Sequence, residues 1–146
     1  MINEFKGEYE FLNNFYECPV VYKGIVYSNN EAAFQAQKTF DESLKKQFET
    51  LGPIEARNLG KTIPLRKDWE DVKDEIMYEI CLAKFTQNPD IMDALVYTGK
   101  RPLEEGNHWN DQYWGTVNGF GENKLGKILM DIREKEQKKR DKELER

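Results

Sequence analysis

"DWEDVKDEIMYEICLAKFTQ", Asp68 to Gln87, says most about the architecture of this chain. Trp69, Val72, Ile76, Ile80 and Ala83 recur at three- and four-residue steps, the spacing that aligns side chains on one face of an α-helix. Met77 and Leu82 widen that stripe, so a long helix central to the core is expected. Asn88-Pro89 punctuates it, and "PDIMDALVYTG" predicts another helix stopping at Gly99. Upstream, "PIEARNLGK" opens with Pro53 suited to a first helical position, and "DESLKKQFETLG" reads as a helical piece ended by Gly52. Short helices follow one another closely. The best strand signal is "CPVVYKGIVY", Cys18 to Tyr27, where two β-branched and aromatic runs flank Lys23-Gly24 as a hairpin or tight extended turn. The expected class is therefore mainly α, a compact single-domain multihelical fold with a short N-terminal β-hairpin, with α+β as the alternative.

The 146 residues suffice for one domain with a sizeable core and no metal or disulfide support. A net charge of −5 with 34% charged residues is not the footprint of a protein that grips nucleic acid mainly through phosphates. Cys18 and Cys81 stand alone beside one histidine, His108, so neither a zinc site nor a disulfide framework is indicated. The start "MINEFKGEYEFLNNF" carries no basic region before an apolar run, and no apolar run is long enough to span a bilayer. The expectation is a cytoplasmic protein that needs no metal or cofactor and has no membrane partner.

Beyond Gly99, "KRPLEEGNHWNDQYWGTVNGFGEN" has glycines, asparagines and aromatic residues but no sustained period. Such long ordered loops in compact domains usually bind or catalyse something. The last helix is expected to start near Asn123, with Leu125, Ile128, Leu129 and Ile132 as its apolar stripe. After Arg133 the stripe ends, and residues 134–146 are expected as a charged tail, a frayed helical extension or disorder.

Three features invite chemistry. In "SNNEAAFQAQK", Asn29 or Asn30 can cap a helix, Glu31 suits its positive end, and Glu31, Gln35 and Lys38 fall at i, i+4 and i+7 on one face. An ordinary solvated face gives the same pattern. In "HWNDQYWG", Asp111 lies between Trp109 and Trp114, which can stack on a base or sugar ring, although tryptophan core anchors around a turn-forming aspartate read equally well. His108 reads better as a loop or packing residue than as a catalyst. "GFGENKLG" can present backbone N–H groups to a phosphate, or can be a helix entry capped by Asn123.

"EFLNNFYECPV", "NNEAAFQAQKT", "PIEARNLGK", "DWEDVKDEIMYEICLAKFTQN", "LVYTGKRPLEE" and "WNDQYWGTVNGFGENKLGKILMDIR" together resemble the NADAR, or YbiA-like, family in its full domain order. The resemblance runs from the N-terminus to Arg133, so residues 1–133 are expected as the family domain. It rests on the Glu31 helix, the Lys84-Phe85 pair, the Thr98-Gly99 turn, Asp111-x-x-Trp114-Gly115 and Asn123-x-Leu125-Gly126 occurring in sequence. The family often reads F-L-S-N-F-Y near its start, where this chain has Asn13 before Asn14.

The resemblance implies an N-glycosidase that hydrolyses the bond between ribose C1 and an exocyclic amine. Two substrate branches follow from it: phosphoribosylaminopyrimidine intermediates of riboflavin synthesis, or ADP-ribosylated guanine in DNA. It implies Glu31, Lys38 and Asp111 as catalytic residues, and Asn14, Phe15, Gln35, Trp114, Gly115 and Asn123 as substrate-binding residues. Glu31 would stabilise positive charge at the anomeric carbon and activate water, and Asp111 would protonate the departing amine or orient the ribose hydroxyls. Lys38 would bind phosphate or form a Schiff base with the ring-opened sugar. Arg57, Lys61, Arg66 and Lys100 are candidates for a basic edge that meets DNA, or for an ordinary solvated surface. The competing functional class is a non-catalytic module binding ADP-ribose or a nucleotide in the same pocket.

Overall fold

The computed structural model describes residues 1–145. Its chain forms two compact units, one of residues Asn14–Asn88 and one that combines Met1–Asn13 with the chain from Pro89 onward. The class is mainly α with one small antiparallel sheet, as expected.

In the first unit, strands β1 (Glu17–Tyr22) and β2 (Ile25–Asn29) pair antiparallel. Lys23 and Gly24 both take positive φ, 49° and 85°, the two-residue turn whose twist matches the flanking strands. Cys18, Val20, Tyr22, Ile25 and Tyr27 point inward, while Val21 and Val26 face outward. Helix α1 (Asn30–Ala36) follows without a linker. Of the two candidate caps it is Asn29 that acts, its side-chain oxygen accepting from the Ala32 N–H at 2.8 Å. The piece after Asp41 contracts to one short helix, α2 (Glu42–Lys46), with the Asp41 carboxylate accepting from the Ser43 N–H at 2.8 Å. Helix α3 (Pro53–Gly60) begins on Pro53.

Helix α4 (Trp69–Gln87) is long and central, but its buried seam is not quite the one the spacing suggested. Trp69, Ile76 and Ile80 are buried as expected, whereas Leu82 is 39% exposed. Met77 widens the seam as expected, and in place of Leu82 it extends toward Cys81, Phe85 and Lys84, the last only 1% exposed. A lysine can sit there because its stem is apolar and its ammonium has ring faces beside it, Tyr16 at 5.6 Å and Phe85 at 5.1 Å. Burial pushes its pKa down to about 8, and the neighbouring Cys81 and Cys18 thiols oppose that shift only in part.

The position of α3 depends on Gly60. A β-carbon there would collide with the carboxamide of Gln35 on α1, so glycine lets the two helices approach with that carboxamide undisturbed.

The second unit contains a 3-10 segment (Gly7–Leu12) and helices α5 (Pro89–Tyr97) and α6 (Lys124–Leu144). Between α5 and α6 the chain is irregular, tied by bridges from Ile2 to Leu103 and from Gly106 to Thr116. Leu125, Leu129 and Ile132 form the buried stripe of α6. Of the two readings of the charged tail, the structure has the helical extension, with the helix continuing to Leu144. Its continuation has work to do at the end of α5. The Arg133 guanidinium donates to the Thr98 hydroxyl at 2.9 Å and the Arg101 carbonyl at 2.8 Å, and the Gln137 amide donates to the Gly99 carbonyl at 2.8 Å. Arg140 pairs with Asp93 at 2.7 Å and with Glu136 at 2.8 Å. Helical pairs Asp131–Lys135 and Glu134–Lys138 add support along the solvated face.

Two stability measurements follow. Because the folded state holds Lys84 below its usual range, it binds fewer protons than the unfolded chain from about pH 8 up to the ordinary lysine pKa of about 10.4. Stability conferred by this residue is therefore lost as pH falls through about 8. Relative to Lys84→Met, wild type should gain about 1 kcal/mol between about pH 7.5 and about pH 9 in urea titrations, and parallel pH dependences would contradict this. The second compares two glycines. A methyl at Gly60 meets the end of the Gln35 side chain, whereas one at Gly115 meets the backbone carbonyl of Glu105. Gly115→Ala should lower the thermal midpoint more than Gly60→Ala, whose cost of about 1–3 kcal/mol is typical of overpacking.

Candidate active site

The unit Asn14–Asn88 carries five of the site residues inferred from sequence: Asn14, Phe15, Glu31, Gln35 and Lys38. Strand β2 delivers the chain to α1, and the Glu31 N–H donates to the Asn14 carbonyl at 3.1 Å, which joins the Asn14-Phe15 segment to the start of the helix. Beneath it, Asn30 donates to the Asn14 side-chain oxygen at 3.1 Å. Sequence reading treated Asn30 as a possible cap, yet its side chain is buried and its Oδ1 has no hydrogen-bond partner among the described residues.

Glu31, Gln35 and Lys38 do not form an ordinary solvated face. Gln35 is 6% exposed and donates from Nε2 to Glu31 Oε1 at 2.9 Å, so the amide orients the carboxylate. One part of the expected geometry changes, because α1 ends at Ala36 and Lys38 lies in the turn beyond it. Its N–H bonds back to the Gln35 carbonyl at 3.2 Å, an i to i−3 contact that tightens the helix exit. Termination has a visible cause: the Arg66 N–H takes the Lys38 carbonyl at 2.8 Å and its guanidinium reaches the Gln37 carbonyl at 3.4 Å. Lys38 still lies close enough to Glu31 for their charges to interact. Burial lowers its pKa, Glu31 pulls it back up, and the like charges of Lys61 and Lys73 lower it further.

Two of the four candidate edge cations belong to α3 and the residue that closes it, Arg57 and Lys61. Arg66 is engaged elsewhere, paired with Asp68 at 2.6 Å and stacked over Phe40 at 4.1 Å. Arg57 lies over the Phe15 ring at 5.5 Å.

Asp111, Trp114, Gly115 and Asn123 belong to the other unit, and Lys100 is also there. Asp111 forms a turn, its Oδ1 accepting from the Tyr113 N–H at 3.1 Å and the Trp114 N–H at 2.9 Å. Asn107, which is buried, clamps the same loop by accepting from the Asp111 N–H at 3.0 Å and donating to its carbonyl at 2.8 Å. Its role could have been suspected from an Asn-x-x-x-Asp spacing only by knowing the loop path. Trp114 packs edge-on against Tyr113 at 4.9 Å, whereas Trp109 is 54% exposed and is no core anchor. His108 is an exposed loop residue near Glu4, at 3.9 Å.

Gly115 sits where a β-carbon would strike Glu105 and crowd the Asn107 amide. Asn123 stands at the cap position of α6 but does not cap it. Its backbone is left-handed, with φ 51°, and its side chain braces the irregular segment, donating to the Leu103 carbonyl at 2.9 Å and accepting from the Glu105 N–H at 3.0 Å. Among the described residues no group of histidine, cysteine and carboxylate side chains is arranged to hold a metal ion. Among the described residues no helix is long and apolar enough to cross a membrane.

The chain as a whole matches a known family. The NADAR domain matches residues 2–136. A protein of Shigella boydii serotype 4 named N-glycosidase YbiA is 37% identical over 131 residues, covering 87% of this chain and 81% of that protein. A Vibrio vulnificus protein named for riboflavin biosynthesis is 37% identical over 128 residues, which cover 85% of this chain but 35% of that longer protein. The solution structure of the Escherichia coli protein YbiA superposes with a TM-score of 0.82 at 32% identity, over 96% of this chain and 89% of that one. With its Glu31 helix, α3 and long α4 seam in the expected order and a match across nearly its whole length, the chain belongs to the NADAR domain family.

Proposed function

We propose that this chain cleaves the bond between ribose C1 and an exocyclic amine of a phosphorylated ribosyl compound, using Glu31 and Lys38 as its reacting side chains. At the coarser level it is a hydrolase of N-glycosyl bonds, as its relatives' names indicate. The observation that supports the assignment best is the Gln35-oriented Glu31 carboxylate with the half-buried Lys38 ammonium near it.

Breaking an N-glycosidic bond builds positive charge at the anomeric carbon, and a fixed carboxylate stabilises that charge without reorganising. The same carboxylate is suited to take a proton from attacking water. An exocyclic nitrogen also lets the sugar ring open to an imine. Lys38 is the nucleophile for that route: its lowered pKa raises the fraction of free amine, which exchanges with the departing amine before water releases the sugar. The phosphoribosylaminopyrimidine branch is supported by the riboflavin name of the Vibrio relative. ADP-ribosylated guanine in DNA is the second substrate, drawn from the family resemblance. From the family resemblance alone, Asp111 is given the role of the acid for the leaving amine or of the group that orients the ribose hydroxyls.

Purified protein incubated in parallel with a phosphoribosylaminopyrimidine and with ADP-ribosylated guanine DNA should release ribose 5-phosphate or ADP-ribose, read by mass spectrometry. Glu31→Gln should keep the wild-type melting curve and lose at least about a hundredfold in rate, the size of a removed general base. Binding without release from either substrate would point to a non-catalytic module. Borohydride added during turnover should trap the sugar on Lys38, and an active enzyme that forms no adduct there would refute the imine route. Asp111→Asn retains the turn-forming oxygen, so a folded variant with reduced turnover would support the acid role, while unchanged turnover would remove it.

A further inference from the structure

Around the Glu31–Lys38 segment the local charge runs against that of the whole chain. The molecule carries a net charge of −5, yet Lys38 has Lys61 and Lys73 as like-charged neighbours, brought in from the exit of α1, the end of α3 and α4. Lys73 is already paired with Glu70 at 2.9 Å. Arg57 and Lys61 are not accounted for in this way. They lie four residues apart, one turn along α3 and its closing residue, and so share a face. The Gly60 contact with Gln35 lays α3 against α1, with Arg57 at the Phe15 end and Lys61 at the Lys38 end.

A second observation is independent of the first. The Arg57 Nε is buried and has no hydrogen-bond partner among the described residues. With its Nε held inside, the half-buried Arg57 presents only the terminal guanidinium nitrogens, which are not buried without a partner and can meet two oxygens of one oxyanion. Lys61, exposed at the end of the helix, can supply a second, mobile ammonium to the same anion.

We propose that Arg57 and Lys61 form an anion subsite that holds the phosphate monoester of the ribosyl substrate beside the Glu31–Lys38 segment. This rests on the reading of that segment as the reacting site, and it separates two duties. Arg57 and Lys61 hold the phosphate, which leaves Lys38 for chemistry at the sugar. A phosphate monoester at neutral pH carries between one and two negative charges, which matches a site with two cations in excess. Binding energy from this remote group then positions the anomeric carbon.

The test is calorimetric titration of the intact protein with ribose 5-phosphate and, separately, with ribose. Wild type should bind the phosphorylated sugar at least about tenfold more tightly, and Lys61→Gln should lose about tenfold for ribose 5-phosphate while leaving ribose unchanged. Arg57→Gln should do the same, with partial recovery in Arg57→Lys; if Arg57→Gln fails to fold, the exposed Lys61 position carries the test alone. Equal affinity of wild type for both sugars, or no effect of Lys61→Gln, would overturn the subsite. A parallel cleavage assay keeps the two readings apart. Turnover without phosphate preference keeps the glycosidase and removes the subsite, whereas phosphate-selective binding that depends on Lys61, without turnover on either nucleoside-type substrate, does the reverse.

Discussion

The contact between Gly60 and Gln35 is the constraint on which the reacting segment depends. Without a β-carbon at Gly60, α3 settles against the Gln35 carboxamide, and that carboxamide in turn holds Glu31 Oε1 at 2.9 Å. Gln35 is thus confined on one side by backbone and on the other by the carboxylate it orients. Its own Oε1 is left without a partner among the described residues, a local cost that follows from the closeness of the two helices. Polar groups held in such positions are commonly found where geometry matters more than stability.

The second unit uses a different means to the same end, because it has no regular elements across the segment between α5 and α6. Its backbone polar groups still need partners, and side chains supply them. Asp111 and Asn107 satisfy N–H and carbonyl groups of their own loop, and Asn123 spans from the start of α6 to the chain at Leu103 and Glu105. Glycines at 115 and 126 permit the close approaches that these bonds require. The segment is thereby fixed by amides and glycines instead of by a helix or a sheet.

Cations are placed with similar economy. Lys84 is buried against aromatic rings, Arg133 is buried against the carbonyl and hydroxyl groups at the end of α5, and Arg66 is stacked and paired. Burial lowers the pKa of Lys84 and Arg133, and in Arg66 the bond to Asp68 outweighs burial and raises it. The same residue type therefore has unlike chemistry in each setting, which no count of charges reveals.

Helix spacing, the Lys23-Gly24 turn, a cap at Asn29 or Asn30 and the Pro53 start were all legible in the sequence, because each depends on neighbours within a few residues. So was family membership, since ordered motifs survive without coordinates. What tertiary structure decided depends on groups far apart in the chain. Arg66 ends α1 before Lys38, and the α4 seam turns toward Lys84 and away from Leu82. Asn123 serves as a brace instead of a cap, and the residues after Arg133 stay helical where they meet the end of α5. Local pattern reports which face of an element is apolar, but which backbone group a distant side chain will reach is set only when the elements pack.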